Sequence, residues 1–395
     1  MAARPRVVAA LAASLRDLDA ADDAFAEAAS ACLALAAAPR DVAAWLFVAA
    51  KRRALDAIRK SAAEARRAAA LAEVSAMADV LQLPEPIPDE RLRLLFICCH
   101  PALGPEARAA LALKVICGLP IDAIARLFVV SEATMFQRIT RAKAKLREAG
   151  IAFELPPRSA WGERLEGVLL ALELAFTAAY GDAGGELSAA LGEDIGGEIE
   201  RLALLVAELM PAEPEALGLA ALVLLARSRA AARLDGAGAM VPLSEQDAAT
   251  WDHARIDQAC RLLEQVAARA RSGPYQVMAA IQLAHARRAF AGAVDWVAVL
   301  RLYDALLALR PSPMVALSRA LALAQVDGAE AGLAALAALP GERLALARPW
   351  HVARADLLAR AGRVKEARGA LDAALALGPP RAERLWLERR RATLT

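Results

Sequence analysis

A chain of 395 residues is too long for one ordinary core and predicts two or three domains. Alanine supplies about a quarter of it and aromatics only 4%, a balance that excludes a β-rich fold and predicts an all-α protein. The net charge of +2 hides 21 basic against 17 acidic side chains in residues 1–150 and 27 against 29 beyond, so contact with a polyanion is expected of the first part alone.

The N-terminal stretch MAARPRVVAALAASLRDLD places Arg16, Asp17 and Asp19 at helical spacing and reads as a first helix, not a signal peptide. No apolar run approaches the roughly 20 residues of a membrane span, so a soluble protein with no membrane partner is expected. Five cysteines, an odd number set mostly in apolar helical pattern, make no disulfide framework and fit a reducing cytoplasm.

Residues 4–38 read as two helices, and a break at Pro39, Arg40 and Asp41 precedes a third from about Val42 to beyond Lys60. The second helix carries an acidic stripe, Asp22, Asp23 and Glu27. The third carries Lys51, Arg52, Arg53, Arg59 and Lys60, and its Trp45, a lone aromatic among alanines, is expected in the core. The segment QLPEPIPDE holds three prolines and cannot continue a helix, so it reads as a linker.

A second helical unit runs from about Asp89 to Gly150, closed by that glycine and by Pro156 and Pro157. Within it, residues Ile121 to Phe128 and a second helix capped by Ser131 form a helix-turn-helix pattern. Met135, Ile139, Ala142 and Leu146 make the apolar stripe of the second helix, while Thr134, Arg138, Arg141 and Lys145 repeat that spacing one residue earlier. Such a helix presents Glu132, Thr134, Gln137 and Arg138 to base edges and its later cations to phosphates. Phe136, at a position usually polar or small, is expected either to meet a thymine methyl or to pack on the neighbouring helix.

Beyond residue 151 the chain alternates amphipathic helices with Gly and Pro breakers. LYDALLALRP at 302–311 recurs as ALDAALALGP at 370–379, 68 residues later and twice the 34-residue tetratricopeptide (TPR) period, so a TPR-like array is expected. Cys98, Cys99 and His100 lack the spacing of a zinc knuckle and read as core. His253, His285 and His351 are isolated, and no nucleophile motif or phosphate loop is present, so neither catalysis, cofactor nor metal is expected.

The helix-turn-helix resembles region 4 of bacterial sigma factors of the extracytoplasmic-function (ECF) type. DAADDAFAEAASACLA and AAWLFVAAKRRALDAIRK resemble region 2 of the same family, in the same order. RLRLLFICCHPAL, GIAFELP, SGPYQVMAAIQLAHA and SPMVALSRALAL resemble the subgroup with a large TPR-like C-terminal extension. The resemblance implies a promoter-specific initiation factor whose partners are core RNA polymerase and promoter DNA, with a protein regulator as a further partner of the extension. It implies that Asp22, Asp23 and Glu27 meet the polymerase, and that Lys51, Arg52, Arg53, Arg59 and Lys60 meet the −10 element. The loop of Pro39, Arg40 and Asp41 would hold an unstacked base there. Ser131, Glu132, Thr134, Phe136, Gln137, Arg138, Arg141 and Lys145 would meet the −35 element. Region 2 is poor in the aromatics that stack on unpaired bases, so strand capture would rest on backbone contacts and a base pocket. The domains expected are region 2 at 1–70, a linker at 71–92, region 4 at 93–150 and the extension at 156–395. The competing reading is a helical-repeat interaction scaffold with a degenerate helix-turn-helix head. A helix-turn-helix repressor leaves the acidic and Trp-Leu-basic helices unexplained.

Overall fold

The computed structural model describes all residues except 1–3, 16–17, 36–38, 40, 69–89, 129, 150–155, 182–193, 268–271, 340–346 and 395, and only the backbone at 4–6, 9, 13–14, 18–19, 43, 57–68 and 90–93. The Pro-containing linker at its centre and Arg40 lie outside the described residues, as do the side chains of Arg59 and Lys60. The fold is all-α: among the described residues there is no strand, and no helix is long and apolar enough to cross a membrane. Two compact units form, one of residues 1–179 and 187–202, the other of 180–186 and 203–395.

The first unit opens with α1 (Arg4–Leu15), α2 (Leu18–Leu33) and α3 (Val42–Ala68), each packed on the other two. Ala21, Ala24, Phe25 and Ala28 of α2 and Leu46, Ala50 and Ala54 of α3 recur at three- and four-residue intervals, and all are buried with Val7, Val8 and Leu11 of α1. Alanine at these positions lets the helix axes approach closely. Asp41 starts α3, its Oδ1 accepting the Ala44 N–H at 2.9 Å. Trp45 is only partly buried, against expectation, because the face of α3 that turns inward is the Leu46, Ala50, Ala54 row beside it.

Next come α4 (Glu90–Cys98), α5 (Pro105–Val115), α6 (Ile121–Leu127) and α7 (Glu132–Glu148), with α1 packed against both α4 and α5. Cys98 and Cys99 are fully buried, as the core reading required; burial pushes the Cys99 thiol up to about 12 and Cys98 well above the ordinary range. His100 accepts the Ala102 N–H through Nδ1 at 3.1 Å.

Helix α8 (Trp161–Gly181) begins inside the first unit: the Trp161 ring lies 5.0 Å from that of Phe96, Arg164 Nη1 donates to the Phe96 carbonyl at 3.0 Å, and Gly167 lies against Cys99. A Cβ at Gly167 would stand 3.3 Å from Cys99 Cβ, so a small residue is what lets this turn come close.

After α9 (Ile195–Leu209), the second unit is centred on α10 (Pro214–Arg227), in which every residue from Ala216 to Ala226 is buried between α11 (His253–Ala267) and α12 (Pro274–Ala286). A helix apolar on all sides must be covered on all sides. Glu215 turns its carboxylate to the start of α12, accepting the Tyr275 and Gln276 N–H groups at 3.1 and 3.3 Å in place of a side-chain cap that Gly273 lacks. The chain continues through α13 (Arg288–Ala291), α14 (Trp296–Leu309), α15 (Pro313–Val326), α16 (Ala329–Ala337), α17 (Arg348–Arg360), α18 (Val364–Ala376) and α19 (Arg381–Thr393). Helices α14, α16 and α18 start at 296, 329 and 364, and α15, α17 and α19 at 313, 348 and 381, intervals of 33 to 35 residues. The two similar decapeptides fall at the ends of α14 and α18, two such intervals apart. Gly328 and Gly362 take φ of +91° and +75° at the turns between paired helices, where side chains with a Cβ are strained.

Candidate DNA-binding interface

Helix α6 is short and buries Ala123, Ile124 and Ala125; the Val130 N–H bonds back to the Ala125 carbonyl at 3.1 Å and closes the turn. Ser131 then caps α7, its Oγ accepting the Thr134 N–H at 3.2 Å and lying 2.8 Å from Thr134 Oγ1. Glu132 in the first turn and Lys145 and Arg147 in the last complement the helix dipole. Met135, Ile139, Ala142 and Leu146 are buried, so the expected apolar stripe is the packed face.

That packing exposes Ser131, Glu132, Thr134, Phe136, Gln137, Arg141 and Lys145. Phe136 is 57% exposed and does not pack against a neighbouring helix to any large extent. Arg138 is only partly exposed. Its Nη1 lies 2.9 Å from Glu106 Oε2 at the start of α5 and its guanidinium 5.7 Å from the Phe128 ring centroid after α6, leaving 23% of the side chain exposed. It braces α7 on both preceding helices. On another face Lys143 Nζ lies 3.6 Å from Asp22 Oδ2 of α2, so Arg138 and Lys143 of α7 meet protein carboxylates while Arg141 and Lys145, with Arg147 in the last turn, are exposed.

Arg141 and Lys145 line an open groove of about 340 Å³, bounded by Thr134, Gln137 and Arg138 of α7 and by Gly104 and Ala107 at the start of α5. A cationic groove beside an exposed polar helix face suits a duplex backbone next to base edges. Sequence reasoning missed Glu106 and Phe128 as partners of Arg138. Pro105 and Glu106 do mark a helix start in the sequence, but their distance from Arg138 along the chain hides the pairing.

Residues 93–146, which span α4 to α7 but for the first three residues of α4 and the last two of α7, match a family described as "Sigma-70, region 4". Residues 164–267 match a second, described as "Family of unknown function (DUF6596)". A protein of Rhizobium meliloti (strain 1021) described as uncharacterized is 39% identical over 399 residues, covering 98% of this chain and 93% of its own. The chain belongs to that protein's family and carries a sigma-70 region 4. No solved structure matches it.

Upstream of region 4, Asp23 and Glu27 are exposed on α2 while Asp22 is partly buried beside Lys143. On α3, Arg52 is exposed, Lys51 sits 5.8 Å from the Phe47 ring centroid, and Arg53 Nη1 donates to the Ala49 carbonyl at 3.3 Å. Val48, 61% exposed, and Leu55 flank Arg52 at helical spacing, so this face mixes apolar and cationic groups. The acidic stripe and the basic cluster therefore do not behave as uniform surfaces: Asp22 of the first and Lys51 and Arg53 of the second are drawn into intramolecular contacts.

Proposed function

We propose that the protein is an ECF-type sigma factor, a non-enzymatic initiation factor that works in the cytoplasm by binding core RNA polymerase and directing it to particular promoters. The observation that carries this reading is the exposed row on α7 of region 4, Ser131, Glu132, Thr134, Phe136, Gln137, Arg141 and Lys145, beside a cationic groove. In this reading α7 enters the major groove of the −35 element, the turn near Thr134 and Gln137 meets base edges, Phe136 meets a thymine methyl, and Arg141 and Lys145 meet phosphates. Arg138 is a positioning residue that fixes the tilt of α7 through Glu106. The −10 element falls to Lys51, Arg52 and Arg53, continuing through Arg59 and Lys60 along α3, with Arg40 in the preceding loop. Asp23 and Glu27 meet the polymerase; Asp22, paired with Lys143, contributes only if that pair opens. The helices beyond α8 form a TPR-like extension for a protein regulator, supported by their 33 to 35-residue repeat and by the concave surfaces such arrays present.

The deciding experiment adds the purified chain to sigma-free core polymerase and assays promoter-specific transcripts and co-elution. Transcripts from a subset of promoters are expected, and Asp23→Arg with Glu27→Arg abolishes co-elution at unchanged thermal stability, because reversals at exposed sites cost little but oppose a basic partner. Absence of co-elution by the intact chain overturns the sigma reading in favour of a scaffold with a DNA-binding head.

A further inference from the structure

Beside the start of α13 in the second unit, a cleft of about 300 Å³ is lined by His285, Arg288, Trp296, Tyr303, Leu321 and Asp356 among others. Arg288 supplies the positive charge of this lining, and it and the nearby Arg229 and Arg233 are held in an unusual way. Arg288 donates Nη1 to the Ser244 carbonyl at 3.0 Å and Nη2 to the Gln246 carbonyl at 2.6 Å, and its guanidinium lies 5.1 Å from the Trp251 ring centroid. Arg229, 6% exposed, donates to Gln282 Oε1 at 2.6 Å. Arg233 donates to the Tyr180 carbonyl at 2.6 Å and stacks 3.6 Å from that ring's centroid. All these acceptors are neutral, and among the described residues no carboxylate lies within ion-pair distance of Arg229, Arg233 or Arg288.

Burying charge without an opposite charge is costly, and folded proteins ordinarily supply a carboxylate. Here the protein orients the guanidinium groups with carbonyls and rings, which fix their positions without cancelling their charge. Arg229 and Arg288 both act on His285, whose ring, packed edge-on to Trp296 at 5.4 Å between centroids, is pushed down to about 4 chiefly by burial and then by these two cations. The carboxylate in the lining, Asp356, lies 3.9 Å from Arg360 and 3.6 Å from Arg390 and so has cationic partners of its own.

We propose that this cleft is a binding site for a small organic anion, a carboxylate or phosphate monoester with an aromatic or aliphatic body. The anionic group takes the place against Arg288 and His285 that no protein carboxylate fills, and the body lies along Trp296 and Tyr303. The volume is at the lower limit of ligand pockets, which fits a metabolite-sized molecule and not a peptide. Because Arg288 also ties down the 244–246 turn, occupancy would stiffen that turn against α12 to α15 and report the ligand to the rest of the unit.

The test uses the full chain and four probes: phenylacetate, phenyl phosphate, inorganic phosphate and benzyl alcohol, followed by thermal shift and by tryptophan fluorescence, Trp296 being in the wall. Saturable binding of one or both aromatic anions is expected, at least about tenfold tighter than inorganic phosphate, with none for benzyl alcohol; the stronger of the two identifies the anionic group. Arg288→Gln should weaken it at least about tenfold. Since that change also frees the 244–246 turn, Val294→Trp provides a second arm, adding bulk at an uncharged residue of the lining; it should melt cooperatively and fail to bind. No saturable binding of either aromatic anion below about 10 mM overturns the site, and so does undiminished binding by Val294→Trp. These readouts involve neither polymerase nor DNA, so their failure is distinct from failure of the sigma reading.

Discussion

Arg138 and Arg141 stand one helical turn apart on α7, yet one is braced against Glu106 and the other faces outward. Arg141→Ala should therefore weaken binding to all DNA sequences alike and lower the slope of log affinity against log salt by about one, as loss of a single phosphate contact does. Arg138→Ala should leave the salt slope nearly unchanged and cost folding stability about 1 kcal/mol or less, since the pair is partly solvated. Anisotropy titrations over a range of salt, with urea melts beside them, check both. A relaxed preference at one base pair with unaltered stability would return Arg138 to direct readout. His285 gives a second outcome at this scale. Held near 4 in the folded chain against an ordinary 6.5, it stays neutral while the unfolded chain takes up a proton. Stability is therefore full above about pH 6.5, falls as pH drops toward about 4 by something on the order of 3 kcal/mol, and is level below. Arg229 and Arg288 press on the ring from two elements and Trp296 from a third. His285→Gln should flatten that portion of the pH profile in urea melts; an unchanged slope would assign it to other groups.

Among the described helices, α10 is the best buried, with every residue from Ala216 to Ala226 inside. How closely α12 crosses it was not legible. A Cβ on Gly218 would stand 2.7 Å from the Gln276 nitrogen and 3.0 Å from the Tyr275 carbonyl carbon, both backbone, so the glycine sets the crossing distance. Gly218→Ala gains about 1 kcal/mol of helix propensity and loses roughly 1–3 kcal/mol to overpacking, for a net loss. Gly369→Ala on α18, where a Cβ meets open space, should instead stabilise by about 0.5–1 kcal/mol. Thermal melts of the two variants should move in opposite directions; a stabilised Gly218→Ala would mean that the helices separate freely there. Periodicity showed which face of α7 was apolar, since that depends on residues three and four apart. It gave no sign that Arg138 pairs with Glu106 beside the Phe128 ring, because those two residues lie outside α7.

At the scale of the whole molecule, the first unit runs past the breaker at Pro156 and Pro157 that marks its end in the sequence. A chain ending at Glu154 exposes Phe96 and removes Arg164 from its carbonyl, whereas one ending at Leu202 keeps both contacts. The shorter chain should be less stable by about 2–4 kcal/mol, read from urea melts followed by circular dichroism. Equal stability would make α8 an addition to the head and not a part of its core. The sequence by itself determined what local spacing controls: the helical class, the cap at Ser131, the apolar stripe of α7 and the repeat near 34 residues at the C-terminal end. The tertiary structure alone decided which charged groups are free to meet other molecules. Asp22 found Lys143, Arg138 found Glu106, and Arg229 found Gln282, partners between 32 and 121 residues away. Hydrophobic periodicity specifies a face, but the energy of a charge depends on whatever the fold brings within a few ångströms of it, and that distance bears no relation to separation along the chain.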